Sequence, residues 1–295
     1  MKKTAFIAIV GRPNVGKSTL LNTILGEKVA IVSKKPQTTR NRITGIYTEG
    51  EEQTVFLDTP GIHKPRTRLG DFMMKTASDT LGGVDAAILV TEAREEVGDI
   101  EAKIISRLRS EGLPAVLVIN KVDAVRSANI AKTIAAYAEA FDFDAVIPLS
   151  AKSGKGVDIL LSECKRYLYE GDWFFSDDIV TDQPEKQIAA EIIREKLLRS
   201  LDEEIPHGIA VTIEEWTEKK DLVSIRAEIY CEKASHKGII IGKGGAGIKR
   251  IGSKAREDIE RMLDTRVFLD LYVRVKENWR DSEFNINDFG FKKEE

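Results

Sequence analysis

Gly11-Arg12-Pro13-Asn14-Val15-Gly16-Lys17-Ser18, followed by Thr19, has the residue types and spacing of a loop that holds phosphates. It lies between the apolar run Thr4 to Val10 and the helical stretch Thr19 to Leu25, the strand and helix that such a loop requires. Its two glycines let successive backbone N–H groups turn inward onto phosphate oxygens, and the helix behind adds its positive end. Lys17 then reaches the β- and γ-phosphates. The Ser18 hydroxyl takes one position on Mg²⁺, a cation that prefers oxygen ligands and shares those of the substrate.

Two further strand ends carry complementary chemistry. The run Gln53 to Asp58 closes in Asp58-Thr59-Pro60-Gly61-Ile62, which offers a carboxylate to the metal and the Gly61 N–H to a γ-phosphate. Alone this string is common, and it gains meaning from the phosphate loop upstream. The run Ala115 to Ile119 leads into Asn120-Lys121-Val122-Asp123. A carboxylate such as Asp123 accepts two hydrogen bonds from the ring N–H and exocyclic amine of guanine, donors that adenine lacks in that geometry. Asn120 braces the loop and Lys121 lies along the base. After Ala145 to Leu149 comes Ser150-Ala151-Lys152, whose Ala151 N–H is directed at guanine O6. A site that leaves its polar groups unpaired with the wrong base discriminates by about 10⁴-fold.

The elements that must position these residues follow from the pattern. Ala86 to Val90 and Ala115 to Ile119 are continuous apolar runs, as in parallel strands buried on both faces. Thr44 to Glu49 and Gln53 to Asp58 form a hairpin across Gly50-Glu51-Glu52, and helices are predicted over 98–109 and 156–168. The segment 171–183, with Trp173, Phe174 and Phe175 among acids, reads as an interdomain linker whose aromatics pack against both domains. Stacking of a base on Trp173 is the alternative.

Composition excludes several classes. A formal net charge of −3 is not that of a chain basic throughout, and 42% hydrophobic with 32% charged residues is ordinary for a globular protein. Cys164 and Cys231 form no CxxC or Cys/His cluster, which fits a reducing, cytoplasmic setting and gives neither a disulfide framework nor a zinc site. The run after Met1-Lys2-Lys3 stops at the phosphate loop, so it is read as a buried first strand and not as a signal peptide. No stretch has the roughly 18 apolar residues of a membrane span.

Beyond Pro184, Ile188, Ala189, Ile192, Ile193, Leu197 and Leu201 recur at helical spacing. Two strand-like runs follow, Ile209 to Trp216 and Leu222 to Cys231. Lys237 to Ile241 then leads into Gly242-Lys243-Gly244-Gly245, the helical stretch Ala246 to Leu263 and the strand Val267 to Val275. From Lys233 to Arg256 there are Lys233, Lys237, Lys243, Lys249, Arg250, Lys254 and Arg256 and no acid, a local excess that attracts a polyanion. Ile239, Ile240, Ile241, Ile248 and Ile251 are divided between groove wall and core. The tail beyond Arg280 is polar and frays unless Phe284, Ile286, Phe289 and Phe291 anchor it.

The ordered series GRPNVGKS, Thr38/Thr39, DTPG, NKVD and SAK resembles the guanine-nucleotide motifs of translation-factor-type GTPases. Gln37-Thr38-Thr39-Arg40-Asn41-Arg42-Ile43, Thr181-Asp182 and Glu191-Ile192-Ile193-Arg194-Glu195-Lys196-Leu197 resemble the Era family. The resemblance implies an α/β P-loop GTPase domain (mostly parallel sheet flanked by helices) over 1–170, a linker over 171–183 and an α+β type II KH domain over 184–295. It implies GTP or GDP and Mg²⁺ as ligands, with Thr39 preferred over Thr38 in the metal shell beside Ser18 and Asp58. Type II KH domains clamp about four nucleotides of single-stranded RNA on the GXXG loop, which makes Lys237, Ile241, Gly242, Lys243, Gly244, Gly245, Lys249 and Arg250 the RNA-binding candidates.

In Ras-like enzymes a glutamine that orients the attacking water stands at the position of Ile62, which cannot do so, so slow intrinsic hydrolysis is implied. The catalytic candidates are then Asn14, Thr39 and Gly61. In related GTPases an asparagine at Asn14 helps bind K⁺ in place of an arginine finger; a turn-forming asparagine is the alternative. His63 is a candidate for contact with the attacking water, His236 for contact with RNA, and His207 reads as part of a turn. The family further implies action on the small ribosomal subunit and its RNA 3′ end, in the cytoplasm and as a monomer, and also peripheral membrane association, for which the sequence has no anchor. Two rivals stand beside this reading: an RNA-binding scaffold in which nucleotide is only structural, and an ATPase or kinase, against which Asp123 argues.

Overall fold

In β1 (Lys3–Val10), Ile7 and Ile9 join one buried cluster while Ala8 and Val10 join another, so a continuous apolar run is what a strand covered on both faces needs. The same alternation divides Ile88 and Val90 from Ala87 and Leu89 in β4 (Ala86–Glu92), and Val116 and Val118 from Leu117 and Ile119 in β5 (Ala115–Asn120). The structure is a computed structural model that describes residues 1–62 and 65–291. It comprises two units. One gathers Met1–Ala30, Thr39–Pro65 and Gly70–Asp182; the other gathers Ile31–Thr38, Arg66–Leu69 and the chain from Gln183 onward.

The first unit is built on a sheet of order β2-β3-β1-β4-β5-β6, where β2 (Ile43–Glu49) and β3 (Glu52–Asp58) form the predicted antiparallel hairpin and the other neighbours in that order are parallel. β6 is Ala145–Pro148, and β7 (Tyr169–Glu170) pairs with the start of β1. One face is covered by α1 (Lys17–Leu25) and α5 (Val157–Cys164), through Leu20, Leu21, Leu160 and Cys164. The other is covered by α3 (Asp99–Glu111) and by α2 (Arg68–Leu81) and α4 (Ser127–Ala140), two helices that the motif-led reading did not single out. Asp99 and Glu101 in the first turn of α3, Arg109 in its last and Gly112 as its left-handed C-cap match the helix dipole and its unpaired carbonyls. Burial pushes the Cys164 thiol up to about 12, as for a core residue.

The predicted linker is not free. The Trp173 indole donates to the Glu51 carbonyl and has Lys2 over its ring; Phe174 meets Phe6 edge-on with centroids 4.7 Å apart. The buried Gln53 amide accepts from the Phe174 and Phe175 N–H groups and donates to the Phe175 carbonyl. Val180 and Thr181 bond β2 at Ile46 and Thr44. Segment 171–182 therefore groups with the first unit, where the sequence reading placed an interdomain linker over 171–183.

In the second unit the order is α6 (Glu185–Ser200), β8 (Ala210–Lys219), β9 (Leu222–Cys231), α7 (Ala234–Ile241), α8 (Ala246–Leu263) and β10 (Val267–Val275). The sheet order is β10-β9-β8, with β9 antiparallel to β8 and parallel to β10. Val223, Ile225, Ala227, Ile229 and Cys231 point inward from β9 and pack with Ile188, Ile192, Ile193 and Leu197 of α6 and Ile251, Ala255 and Ile259 of α8. As far as Phe291 the tail is anchored, through Ile286, Phe289 and Phe291 but not Phe284. Trp279 is fully buried and donates to the Gly208 carbonyl, Phe291 stacks on it, and Phe289 meets Tyr230; α9 (Glu283–Asp288) buries Ile286 and leaves Phe284 76% exposed.

The segment Ile31–Thr38 is packed in this second unit by two buried ionic side chains of α6. Glu195, with no exposed surface, accepts from the Val32 N–H at 3.0 Å, and its oxygens also meet Lys196 and Arg199. Arg194 pairs with Glu191 and donates to the Thr38 carbonyl.

Candidate nucleotide site and RNA interface

The ends of β1, β3 and β5 bring the predicted residues together at one end of the first sheet. Ser18 Oγ donates to Asp58 Oδ2 at 2.6 Å and lies 2.8 Å from Thr39 Oγ1. The Thr38 hydroxyl is instead 2.8 Å from Ser33 Oγ and donates to the Lys35 carbonyl. Asp58 is wholly buried, and its Oδ1 has no hydrogen-bond partner among the described residues. Two hydroxyls and one carboxylate, whose second oxygen is buried and unpartnered, form the hard-oxygen donor set that suits Mg²⁺.

Burial pushes the Asp58 carboxyl up to about 6, against the opposing pull of Lys17 and the Ser18 hydrogen bond. Burial also pulls Lys17 down to about 8, against the Asp58 charge. The Lys17 ammonium donates to the Gly11 and Arg12 carbonyls at 3.1 and 3.2 Å. α1 starts at Lys17 with no side-chain cap, so its first N–H groups face the loop.

Gly61 lies where nothing larger fits: a Cβ there would sit 2.8 Å from the Pro13 backbone. The Ile62 N–H donates to the Gly11 carbonyl at 3.2 Å, and its side chain packs on the core cluster behind the sheet. Thr59 is tied to the Ile9 carbonyl through its N–H and hydroxyl. These bonds hold the Asp58-to-Ile62 turn against the phosphate loop. Asn14 has left-handed backbone, with φ 66. His63 lies outside the described residues.

Asn120 braces the base loop through both ends of its amide. Nδ2 donates to the Val15 carbonyl at 2.8 Å, while Oδ1 accepts from the Lys121 N–H at 2.7 Å and the Ala151 N–H at 2.9 Å. The Ala151 N–H, which the sequence reading directs at guanine O6, is thus engaged inside the loop. The Val122 N–H donates to the Leu149 carbonyl, and Asp123 is exposed, with the Ser150 hydroxyl beside it holding its carboxyl below the usual range. Thr23 of α1 donates to the Ala151 carbonyl, which joins the Ser150-Ala151-Lys152 turn to the helix behind Ser18 and Thr19. Lys152 is exposed.

In the second unit Gly242 ends α7 with φ 71, and a Cβ there would lie 2.9 Å from the Gly247 nitrogen, so the turn into α8 requires glycine. Gly244 and Gly245 complete a one-turn helix with Lys243, whose side chain is exposed, as are those of Lys237, Lys249 and Arg250. Ile240 and Ile251 are core, Ile241 and Ile248 line its margin, and Ile239 is 56% exposed. Beside the loop a cleft of about 260 Å³ runs between α8 and β10, lined by Ile248, Lys249, Gly252, Arg256, Leu269 and Leu271. His236 is half-buried, and His207 lies in a short helical turn.

Family models match in the same two places: residues 6–121 match that of a 50S ribosome-binding GTPase and residues 204–280 that of a KH domain. The chain is 50% identical to the GTPase Era of Ruminiclostridium cellulolyticum over 98% of each chain, and 49% identical to that of Clostridioides difficile over 99% of each. The chain belongs to the Era family of GTPases. It superposes with a TM-score of 0.94 on an Aquifex aeolicus Era solved with GDP and AlF4⁻ (37% identity, 98% of this chain and 99% of that one). The TM-score is 0.95 on an Era in complex with MgGDPNP and nucleotides 1506–1542 of 16S ribosomal RNA (37% identity, 99% of each chain).

Some parts of this Era site carry no motif. Leu269 and Leu271 wall the cleft from a strand distant in sequence, and their alternation in β10 was the available signal. Glu92 and Glu101, which engage Arg12, had none.

Proposed function

We propose that the chain is a GTP-hydrolysing switch that binds single-stranded RNA at the 3′ end of the small-subunit ribosomal RNA and acts in assembly of that subunit. The convergence of Ser18, Thr39 and Asp58 beside Lys17 carries the nucleotide half of this reading. Ser18, Thr39 and Asp58 would hold Mg²⁺, which when bound supplies neutralising charge to the β- and γ-phosphates. Gly11, Arg12, Pro13, Asn14, Val15, Gly16 and Lys17 cradle the phosphates by backbone and ammonium, with Thr59, Pro60 and Gly61 closing over the γ-phosphate. Asp123 and Asn120 select guanine. Ile62 packs on the core and leaves the attacking water without a side-chain base at that position, consistent with slow intrinsic turnover.

The RNA half rests on the exposed cations around Gly242-Lys243-Gly244-Gly245, the adjoining cleft and the similar Era bound to 16S ribosomal RNA. The broader GTPase model names the 50S subunit, but it covers only residues 6–121; the similar Era bound to 16S ribosomal RNA, which matches over 99% of this chain, favours the small-subunit RNA. Thr39 is bonded to Ser18 while the eight residues before it are packed on α6. Ordering of Thr39 by GTP is therefore transmitted along the chain to the RNA-binding unit. None of the described helices is long and apolar enough to cross a membrane. We place the protein in the cytoplasm as a monomer, and its peripheral membrane association rests on the family resemblance alone.

Hydrolysis by the full chain, with and without an RNA spanning that 3′ end, tests the reading. A slow basal rate should rise by at least about five-fold with RNA, a typical coupling between sites. Lys243→Asp, which puts an anion where phosphate approaches, should abolish the rise and leave the basal rate unchanged. Equal rates with and without RNA that binds would leave two uncoupled modules. The same assay in KCl and in NaCl tests whether Asn14 supports a K⁺ site, which predicts faster turnover in KCl.

A further inference from the structure

β4 lies between β1 and β5, and all three run parallel, so the phosphate loop after β1 and the base loop after β5 open at the same end. The last residue of β4 must then stand between them. That residue is Glu92, opposite Asn120 in the strand register. Its Oε2 accepts from Arg12 Nη2 at 2.6 Å, and its Oε1 forms a close ion pair with Lys121. Lys121 Nζ also donates to the Asn14 carbonyl at 2.7 Å. Behind Arg12, Nε is 3.1 Å from Oε1 of Glu101, an α3 carboxylate with only 2% exposure. Burial pushes the Glu92 carboxyl up, but Lys121 and Arg12 outweigh this and hold it below the usual range, so it is ionised at neutral pH.

We propose that Glu92 is a positioning residue for the nucleotide, holding Arg12 of the phosphate loop and Lys121 of the base loop at the spacing that GTP and GDP span. This rests on the nucleotide reading above. The distance between a base and its phosphates is limited by the ligand, so loops already held at that separation lose less freedom on binding. Arg12 is committed to two carboxylates and serves as a strut between the loop and α3. Glu92 contacts none of Ser18, Thr39 and Asp58, so its influence falls on binding shared by ground and transition states and not on the chemical step.

The experiment is steady-state hydrolysis and GDP binding by Glu92→Gln in the full chain. It should raise KM for GTP and Kd for GDP together by about ten-fold, the scale of a lost charge-assisted contact, with kcat within about two-fold. Glu92→Asp, which keeps the charge, should recover part of the loss, and in a Lys121→Met background the Gln change should cost only about three-fold. A merely structural role would lower the melting temperature without splitting KM from kcat. Unchanged KM, a fall in kcat alone, or equal losses in both backgrounds would overturn the proposal. A wild-type chain that binds no GTP would overturn the nucleotide reading and this inference with it.

Discussion

Asp123→Asn should weaken GTP binding by about 10³- to 10⁴-fold and leave xanthosine triphosphate as the better ligand. The Asp123 carboxylate is exposed, and the Ser150 hydroxyl beside it favours its ionised form, so it offers two acceptors and no donor to a base edge. Guanine meets it with a ring N–H and an amine. Asn replaces one acceptor by an amide donor, which faces the guanine amine donor to donor. Xanthine, with a carbonyl in place of that amine, pairs with the new donor. Competition by GTP, XTP and ATP against a fluorescent GDP measures the exchange. A loss of GTP affinity below about ten-fold would mean that the base is recognised elsewhere.

The second large effect is expected far from any nucleotide atom. Glu195→Ala removes a carboxylate with no exposed surface from between the Val32 N–H, Lys196 and Arg199. Lys196 keeps Asp258 as a partner, but the Val32 N–H loses its acceptor and the cations lose a counter-charge. Breaking such a buried pair costs about 3–5 kcal/mol, and the remaining Asp258 contact places the expectation at the low end. Urea unfolding of the full chain, followed by tryptophan emission, should show the second unit destabilised by about 3 kcal/mol. Hydrolysis should at the same time respond less to RNA, because Ile31–Thr38 loses the buried Glu195 bond to α6 and keeps only the Arg194 and Arg199 bonds. A change below about 0.5 kcal/mol would place Glu195 among residues of no energetic consequence.

What the sequence made legible was local. The phosphate loop, the Asp58 turn, Asn120 to Asp123 and the GXXG loop each need particular residue types at fixed spacing, so each is readable within a few positions. The alternation of the strands was readable for the same reason. What escaped depends on residues brought together across the fold. Glu92 meets Arg12 and Lys121 because three parallel strands end side by side, and no spacing in the chain records that. The hold of Gln53 on Phe174 and Phe175 turned an expected linker into part of the first unit. Phe289 and Phe291 were readable as candidate anchors of the tail, but their partners Tyr230 and Trp279 are set by the fold.

The chain changes unit after Ala30, Thr38, Pro65, Leu69 and Asp182. No single cut therefore yields two whole modules. A fragment begun at Gln183 would lack the Val32 N–H that Glu195 accepts, the Thr38 carbonyl that Arg194 reaches and the Arg68 N–H that Asp281 accepts. A fragment ended at Asp182 would carry Ile31–Thr38 with nothing from α6 to fold onto. One half matches a GTPase and the other a KH domain, yet each unit takes residues from more than one stretch of the chain. Recombining either half with a foreign partner would require transplanting the crossing segments with it.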